Sequence, residues 1–271
     1  MKLRILGCAG GIGGRQRLTT CLRVDHDILL DAGTGLSSLG LDELVRIDHV
    51  FLSHSHLDHV AGLALLVDAV FGKRTGPVTV HASEAVIASL KQHLFNWVMW
   101  PNFAELPHAN DSILRWSPFR PGEAVTIGRR VLTSHPVNHT AGSVAYHVRQ
   151  GDASFLFSGD MRSTPELWDT LKADPTLQKV IVDCSFPNAE ATLAEKSGHF
   201  CPQSLVTDIA AMPAGVEFLI YHLKPGQEEL IMRQLADCGA GRSFRALQCG
   251  DQFEFDDAGN IQRPQRHETR I

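Results

Sequence analysis

Short apolar runs alternate with glycine- and proline-rich breaks along much of this chain. Runs of about four to eight such residues between turn-forming residues are typical of buried β-strands. The pattern predicts strands at Leu3–Gly7, Cys21–Val24, Ile28–Leu30, Val50–Ser53, Val131–Thr133, Val144–Val148, Ser154–Phe157, Lys179–Val182 and Glu217–Tyr221. Strands therefore occur in both halves of the chain.

Segments with helical periodicity lie between several of these strands. Val86, Leu90 and Leu94 recur every four residues, which places them on one face of a helix that Ser83 can cap. One helix is predicted to begin with Gly62–Val67. Further helices are predicted at Glu84–Phe95, Glu166–Lys172, Gln203–Ala211 and Gly226–Ala236. Two sets of strands with helices outside them predict an α/β fold with helix–sheet–sheet–helix layers, in a single domain over 1–271.

Two segments lack either pattern. The prolines of 96–121 interrupt any long element, so this segment is predicted to be irregular. It is also rich in aromatic residues, which either anchor a long loop to the core or form a lid or a homodimer contact. The last residues, 256–271, are polar and are expected to be a frayed tail.

Composition narrows the function classes. The chain of 271 residues is 44% hydrophobic and 20% charged, as expected for a soluble protein, and its net charge of −5 disfavours a broad nucleic-acid-binding surface. Apolar runs are shorter than a membrane span, and Met1–Leu6 favours a strand over a signal peptide. The six cysteines form no CxxC pair, which favours reduced thiols and a cytoplasmic location.

Potential metal ligands are most concentrated in the run His54-Ser55-His56-Leu57-Asp58-His59, which directly follows a predicted buried strand. Loops at strand ends allow several side chains to converge on one point. Neutral imidazole is the commonest metal ligand, and carboxylate oxygen binds the same divalent ions. The run therefore predicts a metal site.

Polar residues at other strand ends can complete this site. Asp160 follows Ser158-Gly159 at the end of one strand, His222 ends another, and His139 precedes a third. His135, four residues before His139, is a competing candidate. With the first run these residues supply seven ligands, which suffice for two metals that share one carboxylate.

The order His54-x-His56-x-Asp58-His59, His139, Asp160, His222 resembles the metallo-β-lactamase superfamily over nearly the whole chain. The resemblance implies a four-layer αββα sandwich of two mixed β-sheets. It also implies that His54, His56 and His139 bind one metal, that Asp58, His59 and His222 bind the other, and that Asp160 bridges them. The spacing from His139 to Ala145-Tyr146 is similar to the family's pattern and favours His139 over His135. Asp31-Ala32-Gly33 resembles an early turn with a structural role.

Smaller features resemble class II cyclic-nucleotide phosphodiesterases within that superfamily. They are Trp100-Pro101, Asp183-Cys184-Ser185-Phe186, Gly198-His199-Phe200-Cys201-Pro202 and His222-Leu223-Lys224-Pro225. Phe200-Cys201 departs from that pattern. The implied activity is hydrolysis of a small phosphodiester, a 3',5'-cyclic nucleotide such as cAMP or cGMP, to the 5'-monophosphate. Zinc is the expected metal, with manganese or iron as alternatives, because all the ligands are nitrogen or oxygen.

The same resemblance suggests two catalytic groups. Asp58 can orient or deprotonate the attacking water with the oxygen that does not bind metal. His199 can stabilise the phosphoryl oxygens or protonate the leaving alkoxide.

Three other functions are weighed against this hypothesis. Gly198-His199 also resembles transfer-RNA 3'-processing nucleases, but these carry an inserted arm, and only one hairpin fits between His139 and Asp160. Relatives that hydrolyse β-lactams or thioesters usually lack a counterpart of Asp58. A catalytically silent metal-binding scaffold is disfavoured because the full ligand set is present.

Overall fold

The computed structural model describes residues 1–14, 17–239 and 241–255. Its strands are β1 (Lys2–Gly7), β2 (Cys21–Val24), β3 (Ile28–Leu30), β4 (His49–Phe51), β5 (Val78–Ser83), β6 (Leu114–Phe119), β7 (Ala124–Ile127), β8 (Arg130–Pro136), β9 (Val144–Gln150), β10 (Ala153–Phe157), β11 (Leu177–Asp183), β12 (Glu217–Tyr221), β13 (Phe244–Ala246) and β14 (Gln252–Glu254). Its helices are α1 (Leu41–Leu44), α2 (Leu57–Val70), α3 (Glu84–His93), α4 (Pro165–Leu171), α5 (Ala191–Ser197), α6 (Pro202–Asp208) and α7 (Glu228–Cys238).

The strands form two mixed sheets of seven strands each. The first has the order β14-β1-β2-β3-β4-β5-β6, and the second has the order β13-β12-β11-β10-β9-β8-β7. In the first sheet the pairs from β14 to β3 are antiparallel and those from β3 to β6 are parallel. The second sheet repeats this pattern: pairs from β7 to β10 are antiparallel and those from β10 to β13 are parallel.

Three apolar clusters hold the layers together. One lies between the sheets and contains Phe51, Tyr146 and Phe155. A second packs α2 and α3 against the outer side of the first sheet, and a third packs α4, α6 and α7 against the second. This arrangement confirms the predicted helix–sheet–sheet–helix sandwich.

The prediction for 96–121 is wrong in part. Residues 114–119 form β6, and its Pro118 is tolerated because β6 lies at the edge of its sheet, where a missing N–H disrupts no ladder on the open side. Trp100 and Trp116 pack against the core, as expected of anchoring residues. Trp97 is exposed, so a lid or dimer contact at that point stays a prediction.

Other differences are smaller. The helix predicted behind the histidine run begins earlier, at Leu57, so part of the run lies in its first turn. Ser83 caps α3 as predicted, because its hydroxyl accepts a hydrogen bond from the Val86 N–H. The predicted tail 256–271 lies outside the described residues. Within them, the helices are all too short or too polar to cross a bilayer.

Close backbone packing fixes the start of α2. The Gly62 N–H donates to the carbonyl of Ala32 at 2.7 Å. A methyl group at Gly62 would lie 2.7 Å from the Gly33 oxygen and 2.8 Å from the Ala32 oxygen. Asp31, in the same turn, has a φ of 56°, an uncommon conformation for a residue with a side chain. The turn after β3 and helix α2 are therefore pressed against each other.

We expect Gly62→Ala to lower the free energy of unfolding by about 1–3 kcal/mol, because the new methyl group must push α2 away from two backbone oxygens. Urea denaturation measures this change. Gly76→Ala is the matched control, since a methyl group there would meet no described heavy atom within 4 Å. Equal stability of the two variants would contradict the packing argument.

Candidate metal centre

The carboxyl ends of strands from both sheets meet at one edge of the sandwich. His54 and His56 lie on the loop after β4, and Asp58 and His59 lie in the first turn of α2. The second sheet brings its candidate ligands to the same place: His139 lies between β8 and β9, Asp160 follows β10, and His222 follows β12.

Asp160 lies at the centre of this group and is 1% exposed. Its oxygens lie 3.1 Å from Nε2 of His222, 3.3 Å from Nε2 of His59, 3.7 Å from Nε2 of His54 and 3.9 Å from Nε2 of His139. The preceding Gly159 has a φ of 58°, and a methyl group there would lie 2.7 Å from Cβ of Ser53. The main chain at Gly159 therefore packs closely against the loop that follows β4.

The predicted ligands form two groups of four that share Asp160. One group is His54, His56, His139 and Asp160, and the other is Asp58, His59, Asp160 and His222. Within each group the potential ligand atoms lie within 4.8 Å of one another. All seven predicted residues are thus brought together. His135 lies apart, with its ring 6.4 Å from that of His147.

Asp31, for which the resemblance implies a structural role, orients two of these histidines. Its Oδ2 lies 2.6 Å from Nδ1 of His59 and accepts a hydrogen bond of 2.6 Å from the Ser53 hydroxyl. The Ser53 oxygen lies 3.0 Å from Nδ1 of His54. When both Nδ1–H groups donate in this way, the Nε2 atoms of His54 and His59 face Asp160. Carboxylates commonly fix metal-binding imidazoles like this.

Asp183 orients two histidines at the edge of the second sheet in the same way. Its Oδ2 lies 2.7 Å from Nδ1 of His199, and its Oδ1 accepts a hydrogen bond of 2.6 Å from the Ser185 hydroxyl. That hydroxyl oxygen lies 2.8 Å from Nδ1 of His222. Residue-by-residue reasoning missed both roles, although the run Asp183–Phe186 was noted as a family resemblance. A carboxylate–serine relay cannot be recognised before the fold shows which side chains meet.

His139 is oriented by the main chain instead. Its Nδ1 lies 2.9 Å from the carbonyl oxygen of Gly198, which leaves Nε2 facing Nδ1 of His56 at 3.1 Å. Two imidazole nitrogens that face each other at this distance share one proton or bind one cation between them.

The buried histidines differ in pKa because their neighbours differ in charge. Burial alone would lower the pKa of His59, but the carboxylates of Asp160 and Asp31 raise it well above its ordinary value. Burial, with the neighbouring His59, lowers the pKa of His54 well below its ordinary value. Burial would raise the pKa of Asp58, but a hydrogen bond with His222 and the charge of His59 hold it low. The site therefore combines the ionised carboxylates of Asp58 and Asp160 with a protonated His59 imidazole.

The side chains fit divalent metal ions. Among the described residues Nε2 of His54 is buried and has no hydrogen-bond partner, although it points at the Asp160 carboxylate 3.7 Å away. An unpaired buried nitrogen is costly unless it binds something. Nitrogen and oxygen donors of this kind suit zinc, manganese or iron.

His199 lies beside these groups. Its ring stacks on that of His222, with centroids 5.0 Å apart and an interplanar angle of 21°. Burial would lower its pKa, but the charge and hydrogen bond of Asp183 raise it. With Nδ1 bound to Asp183, Nε2 is the atom available to a substrate.

Comparisons with known proteins show the family and agree with the fold. The model of the beta-lactamase superfamily domain matches residues 26–242. The chain is 29% identical over 249 residues to a 3',5'-cyclic-nucleotide phosphodiesterase of Schizosaccharomyces pombe, covering 78% of this chain and 70% of that protein. Among solved structures, the metallo-beta-lactamase fold protein YhfI of Bacillus subtilis aligns with a TM-score of 0.76 at 19% identity, covering 93% of this chain and 99% of that one. Unliganded yeast PDE1 aligns with a TM-score of 0.74 at 18% identity, covering 90% and 96%.

We expect zinc binding to the metal-free protein at pH 7 to release at least one proton per chain, because His59 is protonated there and an imidazole must lose a proton before it binds a metal. The release should decrease as the pH rises through the pKa of His59. Calorimetric titration in buffers of different ionisation enthalpy counts these protons. His135→Ala should leave the count unchanged, and zinc binding without proton release would contradict the charge assigned to His59.

Proposed function

We infer that this chain, which belongs to the β-lactamase superfamily, is a dinuclear-metal hydrolase that cleaves a small phosphodiester, namely a 3',5'-cyclic nucleotide. The observation that carries this proposal is the pair of four-residue groups that share Asp160, with His199 beside them. The similarity of most of the chain to a protein named 3',5'-cyclic-nucleotide phosphodiesterase supports the substrate class.

The geometry supports the expected division of ligands. His54, His56 and His139 belong to one metal position, Asp58, His59 and His222 belong to the other, and Asp160 serves both. When bound, two divalent ions neutralise the charge of the phosphodiester and lower the pKa of water towards neutrality. The protein contributes the donors, their fixed orientation and two groups that handle protons.

Asp58 is placed to act on the attacking water. Its side chain is 31% exposed, whereas Asp160 is buried, so solvent reaches Asp58. Its Oδ2 lies 3.2 Å from Nε2 of His222. Because the pKa of Asp58 is held low, the group is an ionised carboxylate that accepts a hydrogen bond from water and orients it.

His199 is placed to donate a proton. The Asp183 carboxylate keeps its imidazole in the charged form and holds Nδ1, so the proton on Nε2 can pass to the ribose oxygen as the phosphorus–oxygen bond breaks. The new hydroxyl group keeps that proton, and His199 regains one from solvent.

The space around the site favours a small substrate over a folded RNA. Residues 139–160 contain β9 and β10, which pair antiparallel across a short turn at Gly151-Asp152. A single hairpin thus occupies this segment, which supports a substrate smaller than a folded RNA. A net charge of −5 gives no general attraction for a polyanion.

We expect His199→Ala to lower kcat for a cyclic nucleotide by about 10²–10⁴-fold, the usual contribution of a positioned acid. The loss should be much smaller for bis(p-nitrophenyl) phosphate, because p-nitrophenolate leaves without protonation. Steady-state kinetics with both substrates at matched metal content measure the difference. Equal losses would limit His199 to binding the phosphoryl group.

A substrate and metal panel tests the proposed function. Zinc-, manganese- and iron-loaded protein should hydrolyse cAMP or cGMP with a higher kcat/KM than precursor transfer RNA or a chromogenic β-lactam. Elemental analysis should find two ions per chain, because each four-residue group can hold one. A higher kcat/KM for transfer RNA, or the absence of cyclic-nucleotide turnover with every metal, would overturn the substrate assignment. One ion in fully loaded protein would overturn the dinuclear centre.

A further inference from the structure

Two cysteines lie side by side close to the candidate metal centre. Cys8 follows β1, and Cys249 lies in the turn that leads into β14, the antiparallel partner of β1. The Gly250 N–H donates to the Ile5 carbonyl at 2.7 Å, which keeps this turn next to the end of β1. The two thiols are hydrogen-bonded to each other. Main-chain pairing thus holds the two sulfur atoms together.

The two thiols have different environments. Cys8 is 7% exposed, and its thiol lies 3.4 Å from the carbonyl oxygen of Leu247. The hydrogen bond with Cys249 and burial raise the pKa of Cys8. Cys249 is only partly buried, and the hydrogen bond with Cys8 lowers the pKa of Cys249 to about 6. At neutral pH Cys249 is therefore mostly thiolate, which is the nucleophilic form of cysteine.

A cavity gives small molecules access to this pair. It has a volume of about 650 Å³ and is lined by both cysteines together with Arg4, Arg17 and Gln248. Arg17 forms an ion pair with Glu228 at this cavity, and its positive charge acts on the Cys8 thiol. A partly exposed thiolate in contact with a second thiol, at the wall of a cavity, is the arrangement of a reactive cysteine with a resolving partner.

We propose that Cys8 and Cys249 form a peroxide-sensitive dithiol whose disulfide displaces the main chain that supports His222. The Cys249 thiolate attacks one oxygen of hydrogen peroxide, the oxygen–oxygen bond breaks, and the departing hydroxide takes a proton to become water. The Cys8 sulfur then attacks the sulfenic acid sulfur of Cys249, and hydroxide leaves with the Cys8 proton as a second water. Two thiols lose two electrons, and one peroxide gains them.

The connection to His222 is direct. The carbonyl of Cys8 accepts a hydrogen bond of 2.8 Å from the His222 N–H. His222 has a φ of 62°, and a methyl group at Gly10 would lie 2.3 Å from its oxygen. A disulfide requires the Cys8 and Cys249 sulfur atoms to come closer than hydrogen-bond contact. In the proposed disulfide Cys8 is drawn towards Cys249, and the carbonyl that holds His222 moves with it. A shift of about 1 Å in positioned groups can cost about 10²-fold in rate.

Chemical reactivity tests the site independently of any enzymatic activity. Reduced protein is exposed to hydrogen peroxide, its remaining thiols are alkylated, and a non-reducing digest is analysed by mass spectrometry. We expect the peptides that carry Cys8 and Cys249 to be linked. We also expect iodoacetamide to label Cys249 at pH 7 at least about tenfold faster than Cys238. Cys238 is the other partly buried cysteine, and burial raises its pKa. A linkage between other cysteines, or the absence of one, would overturn the proposal.

The effect on the metal centre is tested with zinc-loaded protein, because zinc itself is not oxidised by peroxide. Peroxide should lower hydrolysis of bis(p-nitrophenyl) phosphate by about tenfold or more, and dithiothreitol should restore it. Cys249→Ser should keep its activity under both conditions. A Cys8–Cys249 linkage with unchanged activity would overturn the displacement of His222. This assay rests on the proposed function; if the protein shows no such hydrolysis, the proposed function fails while linkage and labelling still decide the dithiol.

Discussion

The hydrogen bonds that hold the Nδ1 atoms of the buried histidines are the constraint on which the site depends. An imidazole can direct either nitrogen towards a centre, and only a partner on the other nitrogen decides which one. Asp31 decides this for His59 directly and for His54 through the Ser53 hydroxyl. The orientation of these imidazoles is thus set by side chains that do not themselves point into the site.

The two sheets supply these groups in the same way. Each has antiparallel strands followed by parallel ones, and in each a carboxylate and a serine lie at the carboxyl ends of the parallel strands. In the first sheet they follow the neighbouring strands β3 and β4, and in the second both lie at the end of β11, beside β12. In the second sheet Asp183 holds His199 directly and His222 through the Ser185 hydroxyl. Parallel strands matter here because their ends lie at one edge, so that a short side chain on one strand reaches the next.

Much of the fold and of the candidate site could be predicted from the sequence, and the elements that were not predicted have physical reasons for it. Long apolar runs such as β12 were placed correctly because burial on both faces leaves a continuous pattern. Edge strands such as β6 were missed, since an edge tolerates proline and polar residues. The candidate metal ligands could be named because they cluster in sequence or follow strands, and the fold brings them together. Asp183 was not assigned its role, because its partners are distant in the chain and meet only after folding.

The division of ligands between the sheets has a consequence for cooperativity. His54, His56, Asp58 and His59 come from the first half of the chain, whereas His139, Asp160 and His222 come from the second. Any cation held among them joins the two halves, and a ligand that binds only the native state stabilises it by mass action. Opening either sheet would separate the two sets of candidate ligands and release any cation that they held. Metal binding would therefore make the sandwich unfold as one unit.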